Sequence, residues 1–194
     1  MNYLAHAYLS FGDPAILAGN MFSDFVKGRR KFDFSSGIQN GISLHRSIDN
    51  FTDTHPVTKE AKVYFKNDYG LYSAAFVDVV YDHFLANDRN EFPADSLADF
   101  AAETYQSLND YIGVMPEKFQ YMFSYMKKQN WLYNYQYAPM IKNSFEGLVR
   151  RARYLDESDT AFAIFEKHYE ELKECYAKFF PQLKKYSLEQ YEAL

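Results

Sequence analysis

Cysteine is almost missing from this chain. Cys175 is the single thiol among 194 residues, which excludes an intramolecular disulfide and any zinc site built from several cysteines. It lies late in the sequence beside Tyr176 and reads as a small core or boundary residue rather than a nucleophile. Glycine and proline are also scarce, at eight and six, and alternating strand patterns are hard to find. No segment approaches the roughly 18 apolar residues of a membrane helix. The opening "MNYLAHAYLSFGDP" lacks the basic flank and long apolar run of a secretion signal. The expectation is a soluble cytoplasmic protein without a membrane partner. Positive charge is in deficit as well. The net charge of -5 argues against general attraction to nucleic acid, with "KGRRK" (Lys27 to Lys31) as a local exception.

What the chain does have is bulk. Hydrophobic residues make up 47%, with 18 Tyr and 18 Phe, enough to bury one sizeable core. Helix punctuation is plentiful. Asp13-Pro14 is an N-cap followed by proline at the first helical position, opening a helix expected to reach Lys27 before Gly28. Ser35 or Ser36 starts the next, through His45 to about Asn50. Pro56 opens a segment through Lys66 that "NDYG" ends. Residues 71–87 form an apolar helix, and Pro93, Pro116 and Pro139 mark further starts. One long helix is expected from about 156–158 onward. The reading is all-α, a single compact multi-helix domain over residues 1–194.

Polar groups fall on the apolar faces of these helices. At about 100° per residue, His45 and Asp49 share a stripe with Ile38 and Ile42, and Asp53 lies further round near the expected helix end. In "FVDVVYDHFL", Asp78 and Asp82 are one turn apart and His83 sits at the edge of their face. Asn20 and Asp24 repeat the spacing beside Ile16 and Leu17, and His6 adds an imidazole to a short apolar segment. Each has a plain alternative as a cap or a hydrogen-bonded core group. Several together suit a divalent ion, and a His/Asp set without Cys favours Mn²⁺, Mg²⁺ or Fe²⁺ over structural zinc. The clusters "KGRRK" and Arg150, Arg151 and Arg153 read either as solvated charge or as a site rim. In "QYMFSYMKKQNWLYNYQY" core packing is the better reading, with a groove lining as the alternative.

Four blocks occur in order: "MNYLAHAYLS" at the start, "GNMFSDFVKG" at 19–28, "GISLHRSIDNFTDTHP" at 41–56 and "DVVYDHFL" at 78–85. Together they resemble the acyl carrier protein phosphodiesterase family. That resemblance implies an all-α, HD-domain-like fold, related to the HD metal phosphohydrolases. It also implies an enzyme that hydrolyses the phosphodiester joining 4′-phosphopantetheine to a serine of holo-acyl carrier protein, typically with Mn²⁺. The matching polar positions are His6, Asn20, Asp24, His45, Arg46, Asp49, Asp53, Asp78, Asp82 and His83. The chain departs from the family pattern at Tyr8, Ser47 and Tyr81, where a His, an Arg and a Trp are common. Ser47 leaves Arg46 as the expected anion contact.

On this reading Asp24, His45, Asp82 and His83 are the expected metal ligands, with Asp49 as ligand or orienter. Arg46 holds the phosphoryl oxygens, and His6 or Asp78 serves as general base or orients the water. Asn20, Lys27, Arg29 and Arg30 belong to substrate binding, the basic residues meeting an acidic carrier protein. Two rival readings remain: an HD-type phosphohydrolase of nucleotides or small phosphodiesters, and a non-catalytic helical binding module.

Overall fold

The computed structural model describes all 194 residues, and they form helices with no strand. In chain order these are α1 (Tyr3–Tyr8), α2 (Pro14–Phe22), α3 (Ser36–Thr54), α4 (Pro56–Tyr69), α5 (Ser73–Ala86) and α6 (Ser96–Asn109). There follow α7 (Glu117–Lys128), α8 (Trp131–Asn134), α9 (Ala138–Arg151), α10 (Asp159–Lys167) and α11 (Tyr169–Glu192). No helix is long and apolar enough to cross a membrane.

The punctuation works as its chemistry dictates. Asp13 Oδ1 accepts from the backbone N–H groups of Ala15 and Ile16, both at 2.9 Å, and Pro14 takes the first helical position. His55 Nδ1 accepts from Val57 N ahead of Pro56, and α4 ends at Gly70, whose φ of 51° is open to glycine. Two boundaries differ from expectation. The helix begun at Pro14 stops at Phe22 and tightens into 3₁₀ turns over Ser23–Phe25 and Gly28–Asp33, with Gly28 at φ 58°. The long C-terminal helix is two, α10 and α11, broken at His168.

The centre of the molecule is α5, whose Phe76, Val77, Val80, Tyr81 and Leu85 are wholly enclosed. Helices α1, α4, α9 and α11 pack around it, and the ring of Phe76 meets those of Phe65, Tyr69 and Phe145. Beside this core α2 and α3 cross backbone to backbone. A Cβ at Gly19 would lie 2.1 Å from the Ile38 carbonyl oxygen, and one at Gly41 would lie 2.2 Å from that of Ile16. The two glycines therefore set the distance between the helices that carry Asn20 and His45.

Candidate metal centre

Asn20, buried near the end of α2, fixes the state of two histidines. Its Nδ2 donates to the His6 carbonyl at 2.8 Å and to Ser10 Oγ at 3.1 Å, which turns Oδ1 toward His6. His6 Nδ1 donates to that oxygen at 2.8 Å, and His45 Nδ1 donates to the Asn20 backbone carbonyl, also at 2.8 Å. Both Nδ1 atoms thus carry protons, and in neutral rings both Nε2 atoms keep bare lone pairs. The rings stack with centroids 4.0 Å apart, and both Nε2 atoms lie against one carboxylate.

They face Asp49. Its Oδ1 lies 3.2 Å from His6 Nε2 and its Oδ2 3.0 Å from His45 Nε2, while Asp24 Oδ1 lies 3.3 Å from His45 Nε2. His6 Nε2 is enclosed and makes no hydrogen bond: a lone pair confronts a carboxylate oxygen. Burial and the neighbouring His45 push His6 down to about 4. Burial would lower His45 too, but its bonds to Asp24 and Asp49 outweigh this and hold it up at about 9. Burial disfavours the Asp49 carboxylate, yet His6 and His45 keep it far below the usual range. At neutral pH the proton on His45, with the nearby Met1 ammonium, therefore supplies the positive charge among these groups. Ligand atoms of His6, His45 and Asp49 all lie within 4.8 Å of one another, a donor set of two imidazole nitrogens and a carboxylate that suits a divalent ion.

A consequence is measurable. In chelator-treated protein, His45 stays charged in the fold to about pH 9 but titrates at 6.5 when unfolded, so its stabilisation is complete below 6.5 and lost as pH rises through 9. His6 is neutral in both states above 6.5 and adds no opposing slope. The Met1 ammonium, raised from 8.0 to about 10, adds a loss of the same sign at the upper end. Urea midpoints should fall steadily from pH 6.5 to 9, and a flat profile between 6.5 and 8 would show that His45 is not held by the carboxylates.

Other expected site residues are dispersed. Asp78 Oδ1 lies 3.0 Å from the buried ammonium of Met1, which is also 3.5 Å from Asp49 Oδ1. Asp82 is fully buried and accepts from the N–H groups of Leu4 at 2.6 Å and of Asn2 and Ala5 at 3.3 Å. It caps α1 from α5, and burial pushes it up to about 7. A six-residue helix is marginal alone, so this cap is what holds His6 in place. Asp82→Asn should cost about 2 kcal/mol in denaturant melts, because the amide nitrogen cannot accept. An unchanged midpoint would deny the cap.

His83 is placed away from the cluster, contrary to its expectation as a ligand. Neighbouring residues on a helix point about 100° apart, and its ring nitrogens meet the Tyr135 carbonyl at 2.7 Å and the Tyr169 hydroxyl at 3.2 Å. Arg46 is exposed and donates to the Val26 carbonyl at 3.2 Å. Asp53 pairs with Lys62 at 2.7 Å on the surface. Lys27, Arg29 and Arg30 are exposed beside the turn bearing Asp24.

Above the centre opens a cleft of about 670 Å³, whose walls include His6, Asp24, His45 and Asp78. Its far side carries Tyr121, Met122, Tyr125 and Trp131, so part of the aromatic stretch lines a groove after all. Arg150 and Arg151, at the end of α9, also line it. Their adjacency to other basic residues was the only sequence signal for them, and nothing local said which surface α9 would present.

Fold and site together define a small all-α protein with a His–Asp cluster that could hold a metal ion, set in a cleft with basic residues on its wall. The chain belongs to the acyl carrier protein phosphodiesterase family, whose model matches residues 1–183. Relatives of that name from Yersinia pestis and Photorhabdus laumondii are 33% and 32% identical over 184 residues. One from Serratia proteamaculans is 31% identical. These matches cover 94% of this chain and 93% to 95% of the relatives. No solved structure matches.

Proposed function

We propose that this protein hydrolyses the phosphodiester between 4′-phosphopantetheine and the serine of holo-acyl carrier protein, releasing the apo protein, and that it works in the cytoplasm. The observation that carries the reading is the pair of Nε2 atoms converging on Asp49 in a chain of this family. His6, His45 and Asp49, with Asp24 at the edge, would hold the divalent ion, Mn²⁺ first and Mg²⁺ or Fe²⁺ as alternatives. When bound, such an ion neutralises phosphoryl charge and lowers the pKa of water. Asn20 keeps both imidazoles turned with Nε2 inward. Asp78, raised by burial, lining the cleft and paired through Oδ1 with the Met1 ammonium, would serve as the general base toward water. Asp82 acts through α1, and His83 through packing. The test is mass spectrometry of holo-acyl carrier protein after incubation with Mn²⁺ or with chelator. Conversion only with metal is expected, and no conversion in either arm would sink the proposal.

Lys27, Arg29 and Arg30 make no ion pair and flank the cleft at the Asp24 turn, a suitable footing for a small acidic carrier protein. Arg29→Glu with Arg30→Glu should raise KM for the carrier protein about tenfold at low salt and leave metal content unchanged. Unchanged kinetics would remove this surface from docking.

A further inference from the structure

The cleft above the His6–His45–Asp49 centre continues into a second cavity of about 510 Å³, a volume typical of small-molecule sites. Tyr3, Trp131, Arg150 and Arg151 are among the residues that line both, and so are Asn2 and Gln129. The second cavity is lined by the apolar Trp131, Met140 and Leu148, by amides that include Asn2, Gln129 and Asn143, and by one carboxylate, Glu146. Several of its polar groups are left free. The Asn2 carboxamide makes no hydrogen bond within the protein; its backbone N–H donates to Asp82 and its backbone carbonyl accepts from His6 N. Asn143 has only a 3.5 Å approach of Nδ2 to Met140 Sδ. Arg150 and Arg151 are exposed at the cavity mouth and neither pairs with a carboxylate, so both guanidinium groups are free to meet an anion.

A purely aliphatic occupant would leave those amides unmatched, which a site of this kind discriminates against. A highly charged one would meet the indole and methyl groups. The lining suits a flexible chain in which secondary amides alternate with short hydrocarbon pieces and which bears a phosphate at the end nearest the metal centre. We infer, given the phosphodiesterase reading above, that this second cavity receives the pantetheine arm of the substrate. Arg150 and Arg151 stand at the junction, where the phosphoryl group passes from one cavity to the other. Asn2 and Asn143 offer donors and acceptors to the arm's amides, and Trp131 and Leu148 cover its hydrocarbon.

Trp131 is the only tryptophan in the chain, so its fluorescence reports occupancy of the cavity without any turnover. Gly147 lies in the cavity wall on α9, and a Cβ there would have no atom within 4 Å. Gly147→Leu therefore adds bulk at the cavity wall without backbone collision and replaces a poor helix former with a good one. Titration of the metal-loaded protein with free pantetheine, which lacks phosphate and carrier protein, should change the emission saturably. The Gly147→Leu protein should need about tenfold more pantetheine, equivalent to about 1.4 kcal/mol, and its kcat/KM for holo-acyl carrier protein should fall by a similar factor. Absence of a saturable change in the unsubstituted protein, equal titrations for both proteins, or saturation by octanoate but not by pantetheine would overturn the assignment. The mass-spectrometric assay on the same preparation separates the two claims. Hydrolysis of holo-carrier protein without a pantetheine response removes the arm site alone, while a pantetheine response without hydrolysis removes the phosphodiesterase reading alone.

Discussion

Asp49→Ala is expected to abolish metal retention and to lower turnover on the order of a thousandfold, with helical circular dichroism preserved. Asp49 is the one residue whose two oxygens face different imidazoles, His6 at 3.2 Å and His45 at 3.0 Å. Without it, His6 Nε2 looks into an empty space and His45 keeps only the more exposed Asp24. Asp49→Asn tests charge separately from shape. It preserves the volume and one acceptor, so partial retention of stability with loss of metal would assign the effect to the missing anion. His45→Ala should behave like Asp49→Ala. His83→Ala should not: its imidazole is bonded to Tyr135 and Tyr169, away from the centre, and its removal should cost about 1–3 kcal/mol of stability while leaving metal content intact. Metal analysis of the purified variants decides this. A fully metal-loaded, active Asp49→Ala protein would remove the centre from the reaction.

How far the site was legible follows from which contacts are local. The stripe Ile38, Ile42, His45 and Asp49 lies on one helix, and periodicity places it correctly: the two isoleucines are 3% and 0% exposed and His45 is 5% exposed. Asp49 was expected to point inward, and it sits at the rim where that stripe meets the cleft. Asp53, one turn further, has rotated to the surface and pairs with Lys62. Asp82 and His83 illustrate the limit. Both are buried and adjacent in one motif, but helix geometry sends one to cap α1 and the other to Tyr135. Choosing between ligand and cap required knowing where α1 lies. That helix has six residues and no cap of its own, so its existence is a tertiary fact. The same holds for the cleft's arginines. Arg150 and Arg151 look like any basic helix end until α9 packs on α5 and brings them beside Trp131 and Tyr3. The break at His168 has neither glycine nor proline to announce it. Helix starts, by contrast, were readable because Asp13-Pro14 and Pro56 act on their own neighbours.

Gly41→Ala should destabilise the protein by about 3 kcal/mol and weaken metal binding together with it. Glycine in a helix interior normally costs about 1 kcal/mol relative to alanine, so the ordinary expectation is a gain. Here the added methyl would sit 2.2 Å from the Ile16 carbonyl oxygen and 2.9 Å from the Asn20 nitrogen, and both obstacles are backbone. Nothing can rotate aside; α2 and α3 must separate. Gly19→Ala meets the Ile38 carbonyl oxygen at 2.1 Å and should act alike. Separation moves Asn20, whose carbonyl and carboxamide orient His45 and His6, so the loss of stability and the loss of the metal site share one cause. Gly147→Ala, in open space on α9, supplies the control and should be neutral or stabilising by up to about 1 kcal/mol. Denaturant melts of the three variants, with metal titrations beside them, check both halves. A Gly41→Ala protein as stable as its parent would mean that the two helices do not meet through their backbones. A destabilised one with unchanged metal affinity would mean that Asn20 does not set the imidazoles.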